Sequence, residues 1–142
     1  MRPALRVHIV PVGFQINRIT EPVIRERADK VYLITHSYKD KATPYLEKIL
    51  KILKKEKYLQ IQKRSTNIWD FFECLQTYKQ IITGEEKDAH IYINVSTGSK
   101  VTSIAGTLAC MIWKGTPYYA HIDYDSIKKD PTDGLQKKKL MQ

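Results

Sequence analysis

The heptapeptide NVSTGSK, from Asn94 to Lys100, gathers groups suited to holding phosphate. Ser96, Thr97 and Ser99 carry hydroxyls able to donate to phosphate or sugar oxygens. Gly98 lets a ligand approach the backbone with no side chain between. Lys100 adds a mobile positive charge. Asn94 is odd at the end of an apolar run; its amide either fixes the loop or reads a base or a ribose. A helix-periodic segment follows, so a helix starts around Thr97 to Ser99. The first N–H groups of a helix lack intrahelical partners and favour an anion. A plain Ser–Thr cap with Lys100 in water is the simpler alternative. It does not account for four hydroxyl or amide residues around one glycine. The loop is not a Walker A loop, because Ser99 separates Gly98 from Lys100 and no glycine lies five places before Gly98.

A second loop runs from Gly13 to Arg18. Gly13 permits a tight turn or a close backbone approach. Phe14 offers a stacking face and Arg18 a planar cation for phosphate. Each also has a structural reading: strand end, core ring and exposed helix charge. The second and third glycines of G-x-G-x-x-G are missing, so this is not a dinucleotide fingerprint. His36 ends an apolar run beside Thr35 and Ser37, within reach of a pocket. His8, His90 and His121 fall inside strand-like runs and read as packed residues. The four histidines show no metal-ligand spacing. Cys74 and Cys110 fall in apolar helical patterns without C-x-x-C spacing, so neither a metal site nor a disulfide framework is indicated. No cofactor is expected.

The elements that must position these loops alternate. RVHIVPV, from Arg6 to Val12, reads as a strand ending at Gly13. Ile16, Ile19, Val23 and Ile24 then recur at helical spacing. Pro22 leaves two choices: a helix from about Thr20, or an earlier helix that kinks. KVYLITH, Lys30 to His36, is a buried strand. Thr43 and Pro44 open a helix as cap and first residue, with Leu46, Ile49, Leu50 and Leu53 as its stripe. The run from Tyr58 alternates most cleanly, which suits a strand near a sheet edge. Asn67 caps a helix presenting Ile68, Phe71, Phe72, Leu75, Tyr78 and Ile82 on one face, and Gly84 ends it. Ala89 to Val95 is the fourth strand. After NVSTGSK a helix rich in Ser103, Ala105, Gly106 and Ala109 implies tight packing on the sheet, with a dimer seam as the sharper alternative. Thr116 to Ile122 is the fifth strand.

Strict alternation argues for an α/β domain, a Rossmann-like three-layer sandwich with a mainly parallel sheet in the order 3-2-1-4-5. The chain then reverses between strands one and four, and ligands bind at that switch point. The loops after Val12 and after Val95 are therefore expected to be neighbours. Residues 1–123 form this domain and residues 124–142 a polar, basic extension.

Composition bounds the function. At 142 residues and 42% hydrophobic content the chain suits one globular domain with a core. Twenty-four Lys+Arg against 15 Asp+Glu give a formal charge of +9, which favours anionic partners. Part of that excess is a solvated lysine-rich helix and the Lys137–Lys139 tail. No signal peptide is visible, and the longest apolar stretch, near Ile104 to Trp113, is too short to span a bilayer. A cytoplasmic protein without membrane association is the expectation.

HIVPVGFQINRI and INVSTGSKVTSIAGTLA together resemble the CARF domains, the CRISPR-associated Rossmann-like domains. The resemblance runs from about Arg6 to Ile122. It is to the type that begins archaeal transcriptional regulators with a C-terminal winged helix. It implies a homodimer that binds a cyclic oligoadenylate across its axis. The ligand residues it implies are Gly13, Phe14 and Arg18 from one loop and Asn94, Ser96, Thr97, Gly98, Ser99 and Lys100 from the other. A C2 interface would present this patch twice. The resembling regulators continue into a winged helix, so DNA is a partner only through a domain missing from this chain. The chain is expected to be a stand-alone sensor or the sensor half of a longer regulator. Two other functions compete. One is a metal-independent ring nuclease, with Ser99 and Lys100 supporting in-line attack by a ribose 2′-OH. The other is a small α/β domain binding a mononucleotide or another phosphate compound.

Overall fold

A computed structural model describes residues 3–38 and 41–121. Nine elements alternate: β1 (Arg6–Pro11), α1 (Ile16–Arg25), β2 (Lys30–His36), α2 (Thr43–Leu53), β3 (Gln60–Thr66), α3 (Phe71–Gly84), β4 (His90–Asn94), α4 (Lys100–Trp113) and β5 (Thr116–Tyr118). The strands form one sheet in the order β3-β2-β1-β4-β5, and every pair is parallel. This is the expected Rossmann-like sandwich, and β3 lies at an edge. The proposed extension from residue 124 lies outside the described residues.

The period of two along the strands divides the core into two layers. Val10, Val31 and Leu33 face α1 and α2, where they meet Ile19, Val23, Ile49, Leu50 and Leu53. Val7, Ile9, Ile34, Ile91 and Ile93 face α3 and α4, where they meet Cys74, Tyr78, Ala105 and Ala109. A Cβ at Gly106 would stand 2.9 Å from Ile93 Cγ2, so the small residues of α4 bring that helix close to the sheet. Both cysteines are free and buried.

Pro22 lies inside α1, which starts at Ile16. The proline has no N–H for the Arg18 carbonyl four residues back. That carbonyl instead accepts from Asn94 Nδ2 at 2.9 Å. A gap in one helix is thus filled from the end of β4, and α1 needs no later start.

Two helix starts shift. Thr43 is the first helical residue of α2, with Ala42 at the cap position. Asp70, not Asn67, caps α3, accepting from Glu73 N at 3.0 Å. Residues 67–70 form a separate turn, closed by Asp70 N to the Asn67 carbonyl. Ile68 therefore precedes the helix, and Phe72 is exposed rather than on the buried face. β5 ends at Tyr118, so Tyr119, Ala120 and His121 follow the strand.

Candidate functional site

The loops after β1 and β4 touch. A Cβ on Gly13 would lie 3.1 Å from Gly98 N, so a larger residue would press the loops apart. Gly98 has φ +82°, and a Cβ there would meet Pro11 Cβ at 2.5 Å and Thr102 Oγ1 at 2.7 Å. Only glycine suits that turn. It swings the chain out of β4 and into α4.

The hydroxyl protons of the loop are committed inward. Ser96 Oγ donates to Asn94 Oδ1 (2.6 Å) and accepts from Ala120 N (3.1 Å). Thr97 Oγ1 donates to the Pro11 carbonyl (2.7 Å). Ser99 Oγ donates to the Ile68 carbonyl (2.7 Å) and accepts from Thr102 N (3.1 Å), which makes Ser99 the N-cap of α4. Each hydroxyl has one proton to give, and each gives it to protein. Phosphate must look to other donors. The Asn94 amide is fully buried, holding Arg18 O and the Ser96 backbone. These bonds fix the loop.

Between these loops lies a cavity of about 680 Å³. Gly13, Phe14, Gln15 and Arg18 line one side, and Ser96 to Ser99 line another. Lys41, Ala42, Ile68 and Trp69 complete it, below Val12. The size suits a nucleotide-scale ligand. Among the described residues the lining carries two cations, Arg18 and Lys41, and no carboxylate. The first turn of α4 opens onto the same end through Gly98 and Ser99. Of the first-turn N–H groups, Thr102 N is taken by Ser99 Oγ, and those of Lys100 and Val101 lie ahead of the first intrahelical bond. Fixed dipoles and two cations together favour an anion there.

Arg18 is held by Tyr119. Its Nη1 donates to Tyr119 Oη at 3.3 Å, and its guanidinium lies over the Tyr119 ring at 5.5 Å. Phe14 is 57% exposed and meets Tyr45 edge-on at 5.6 Å.

Gly13, Phe14, Arg18, Ser96, Thr97, Gly98 and Ser99 come together at the cavity. Asn94 lies beneath it. Lys100 is exposed and is not among the lining residues. His36 faces an adjoining cavity of about 230 Å³, which shares Val12, Ala42 and Ile68 with the larger one. Gln15, Lys41, Ile68 and Trp69 were not foreseen as lining. The Asp70-x-x-Glu73 spacing was the available signal, since it places the cap at Asp70, starts α3 at Phe71 and leaves Asn67 to Trp69 in a loop.

Elsewhere, His8 is buried between Tyr92 and Tyr118, with Nδ1 3.1 Å from Tyr118 Oη. Burial, then the Arg6 charge, lowers its pKa to about 4. Burial pushes the Cys74 and Cys110 thiols up to about 11. No cluster of three potential metal ligands exists among the described residues. None of their helices is long and apolar enough to cross a membrane.

The fold and the site define a Rossmann-like α/β domain with an anion-directed cavity at its switch point. The chain belongs to the family described as HFX_2341_N:-like, N-terminal, whose model matches residues 6–124. It is 32% identical to the uncharacterized protein MJ1513 of Methanocaldococcus jannaschii, over 93% of this chain and 41% of that protein. It thus spans about two-fifths of the length of that relative. Two solved structures share the fold at low identity. Can2 from Sulfobacillus thermosulfidooxidans, in complex with cyclic tetra-adenylate, matches with TM-score 0.68 and 14% identity over 85% of this chain and 33% of its own. Enterococcus italicus Csm6, bound to cyclic hexa-2′-fluoro-hexa-dAMP, matches with TM-score 0.66 and 16% identity over 84% of this chain and 34% of its own.

Proposed function

We propose that this chain is a CARF-type sensor domain that binds a cyclic oligoadenylate. The observation that carries the reading is the switch-point cavity: two cations, an open helix start, aromatic walls and no carboxylate among its described lining residues. Arg18 and Lys41 would take phosphate charge, with the first-turn N–H groups of α4. Phe14 and Trp69 would meet bases. The complexes of Can2 with cyclic tetra-adenylate and of Csm6 with cyclic hexa-2′-fluoro-hexa-dAMP, in chains that share this fold over about a third of their length, support the choice of ligand.

The ligand is proposed to sit across a homodimer. On the outer face of α4, Ile104 and Met111 are 62% and 78% exposed, and Ile112 is exposed beside them. Such a stripe is suited to a second copy. Pairing along α4 would set two cavities at one end of the assembly. The output, transcriptional or through an effector of CRISPR-related defence, is proposed to reside in chain outside this domain.

The geometry favours gripping over cutting. Ser99 has given its proton to Ile68, and Lys100 lies outside the lining. Calorimetric titration with cyclic tetra- and hexa-adenylate tests the reading. One ring per two chains is expected. Arg18→Ala with Lys41→Ala removes two charge-assisted bonds from each of the two chains and, at about 1.5 kcal/mol or more each, should weaken binding at least about 10,000-fold. No binding of either ring would refute the sensor. Equal affinity for AMP by a monomer would make it a mononucleotide site. Cleavage of labelled ring on long incubation would establish the ring nuclease.

A further inference from the structure

Trp69 is 68% exposed on the cavity wall, and its indole has no ring or hydrogen-bond partner among the described residues. Its backbone, by contrast, is held from several sides. Trp69 N donates to Asn67 Oδ1 at 3.1 Å, and Asp70 N to the Asn67 carbonyl at 3.0 Å. Asn67 N donates to the Glu73 carboxylate. Ile68 N donates to His36 Nδ1 at 3.2 Å, and the Ile68 carbonyl accepts from Ser99 Oγ at 2.7 Å. That last bond ties the residue beside Trp69 to the N-cap of α4, where phosphate is drawn. A large apolar ring is kept in water on a turn fixed by β2, α3 and α4. An ordered aromatic face beside an anion seat matches a nucleotide, which has a base attached to its phosphate.

We infer that Trp69 is the stacking platform for one base of the bound nucleotide, and that His36 is its positioning residue. The inference rests on the nucleotide reading of the cavity. His36 Nδ1 accepts from Ile68 N–H, so the neutral ring carries its proton on Nε2. The Thr66 carbonyl near the same nitrogen is already served by Ser37 N at 2.9 Å. His36 thus acts through the turn and not on the ligand. Every base has a π face, so this platform adds affinity without choosing adenine.

A Trp113→Phe background leaves Trp69 as the sole tryptophan of the chain. Titration with cyclic tetra-adenylate should quench its emission in step with calorimetric binding. Trp69→Ala removes a platform from each of the two chains sharing the ring and should weaken binding about 30-fold or more, the combined loss of two stacked bases, and Trp69→Phe should restore most of it. His36→Ala should lower both the affinity and the fluorescence anisotropy of Trp69, and His36→Asn, which keeps an acceptor, should rescue both. Normal ring binding with unchanged Trp69 emission and a Trp69→Ala effect under twofold would overturn the inference and leave the sensor standing. Failure of the wild-type chain to bind any ring would overturn both. A ligand-free, concentration-dependent shift of Trp69 emission would also overturn it, placing the indole between two copies.

Discussion

Replacing Asn94 by alanine, with and without Pro22, tests how the two site loops are joined. In the native chain the Asn94 amide covers the carbonyl that Pro22 leaves unpaired, at 2.9 Å, and its Oδ1 accepts from Ser96 N and Oγ at 2.9 and 2.6 Å. Asn94→Ala removes all three bonds. At about 1 kcal/mol each, with an added penalty for the stranded carbonyl, the cost is about 3–5 kcal/mol. Pro22→Ala supplies an N–H one helical turn above Arg18 O. In that background the stranded-carbonyl share disappears, so Asn94→Ala should cost about 1–2 kcal/mol less. Urea unfolding of the four proteins gives the coupling directly, and a slope near 2 kcal/mol/M makes it a midpoint difference of about 0.5–1 M. Effects that add to within about 0.3 kcal/mol would refute the argument that Asn94 replaces the missing helix bond.

Three further outcomes follow from the same geometry. Gly98→Ala meets a positive φ and a 2.5 Å contact with Pro11 Cβ, and should lower stability by about 2–4 kcal/mol in denaturant titration. His8 has a native pKa near 4 against 6.5 when unfolded, so the unfolded chain binds the extra proton between those values. Stability should be flat in this respect above pH 6.5 and fall as pH drops towards 4, by up to about 3 kcal/mol, with the fall much reduced in His8→Gln. Cys74 and Cys110 are buried with thiols pushed up to about 11, so a thiol reagent at pH 8 should label neither in the native protein and both in urea.

The β-prone run KVYLITH and the strict alternation of strands with helices made the sandwich legible, and the clean alternation from Tyr58 placed β3 at an edge. The neighbouring of Gly13 and Gly98 followed from topology alone. What sequence could not convey was direction. Ser96, Thr97 and Ser99 are the right types for phosphate, yet each points its proton at a carbonyl or an amide oxygen of the protein. Residue type gives donor capacity; only the fold says which acceptor is nearest. Trp69 was hidden differently. Asn67 looks like a cap and Ile68 falls at helical spacing from Phe71 and Phe72, so local signals favoured one helix where the chain builds a turn and then a helix.

The inward commitment of the NVSTGSK hydroxyls has a consequence for how ligand preference can change. That wall meets its guest mainly as main chain, and its side chains are mortgaged to Pro11, Ile68 and Asn94. Substitutions there unsettle the fold before they retune recognition. The rest of the lining, with Phe14, Gln15 and Trp69, carries exposed side chains with little structural duty. A protein built this way leaves its cavity open to drift or to redesign on one side only.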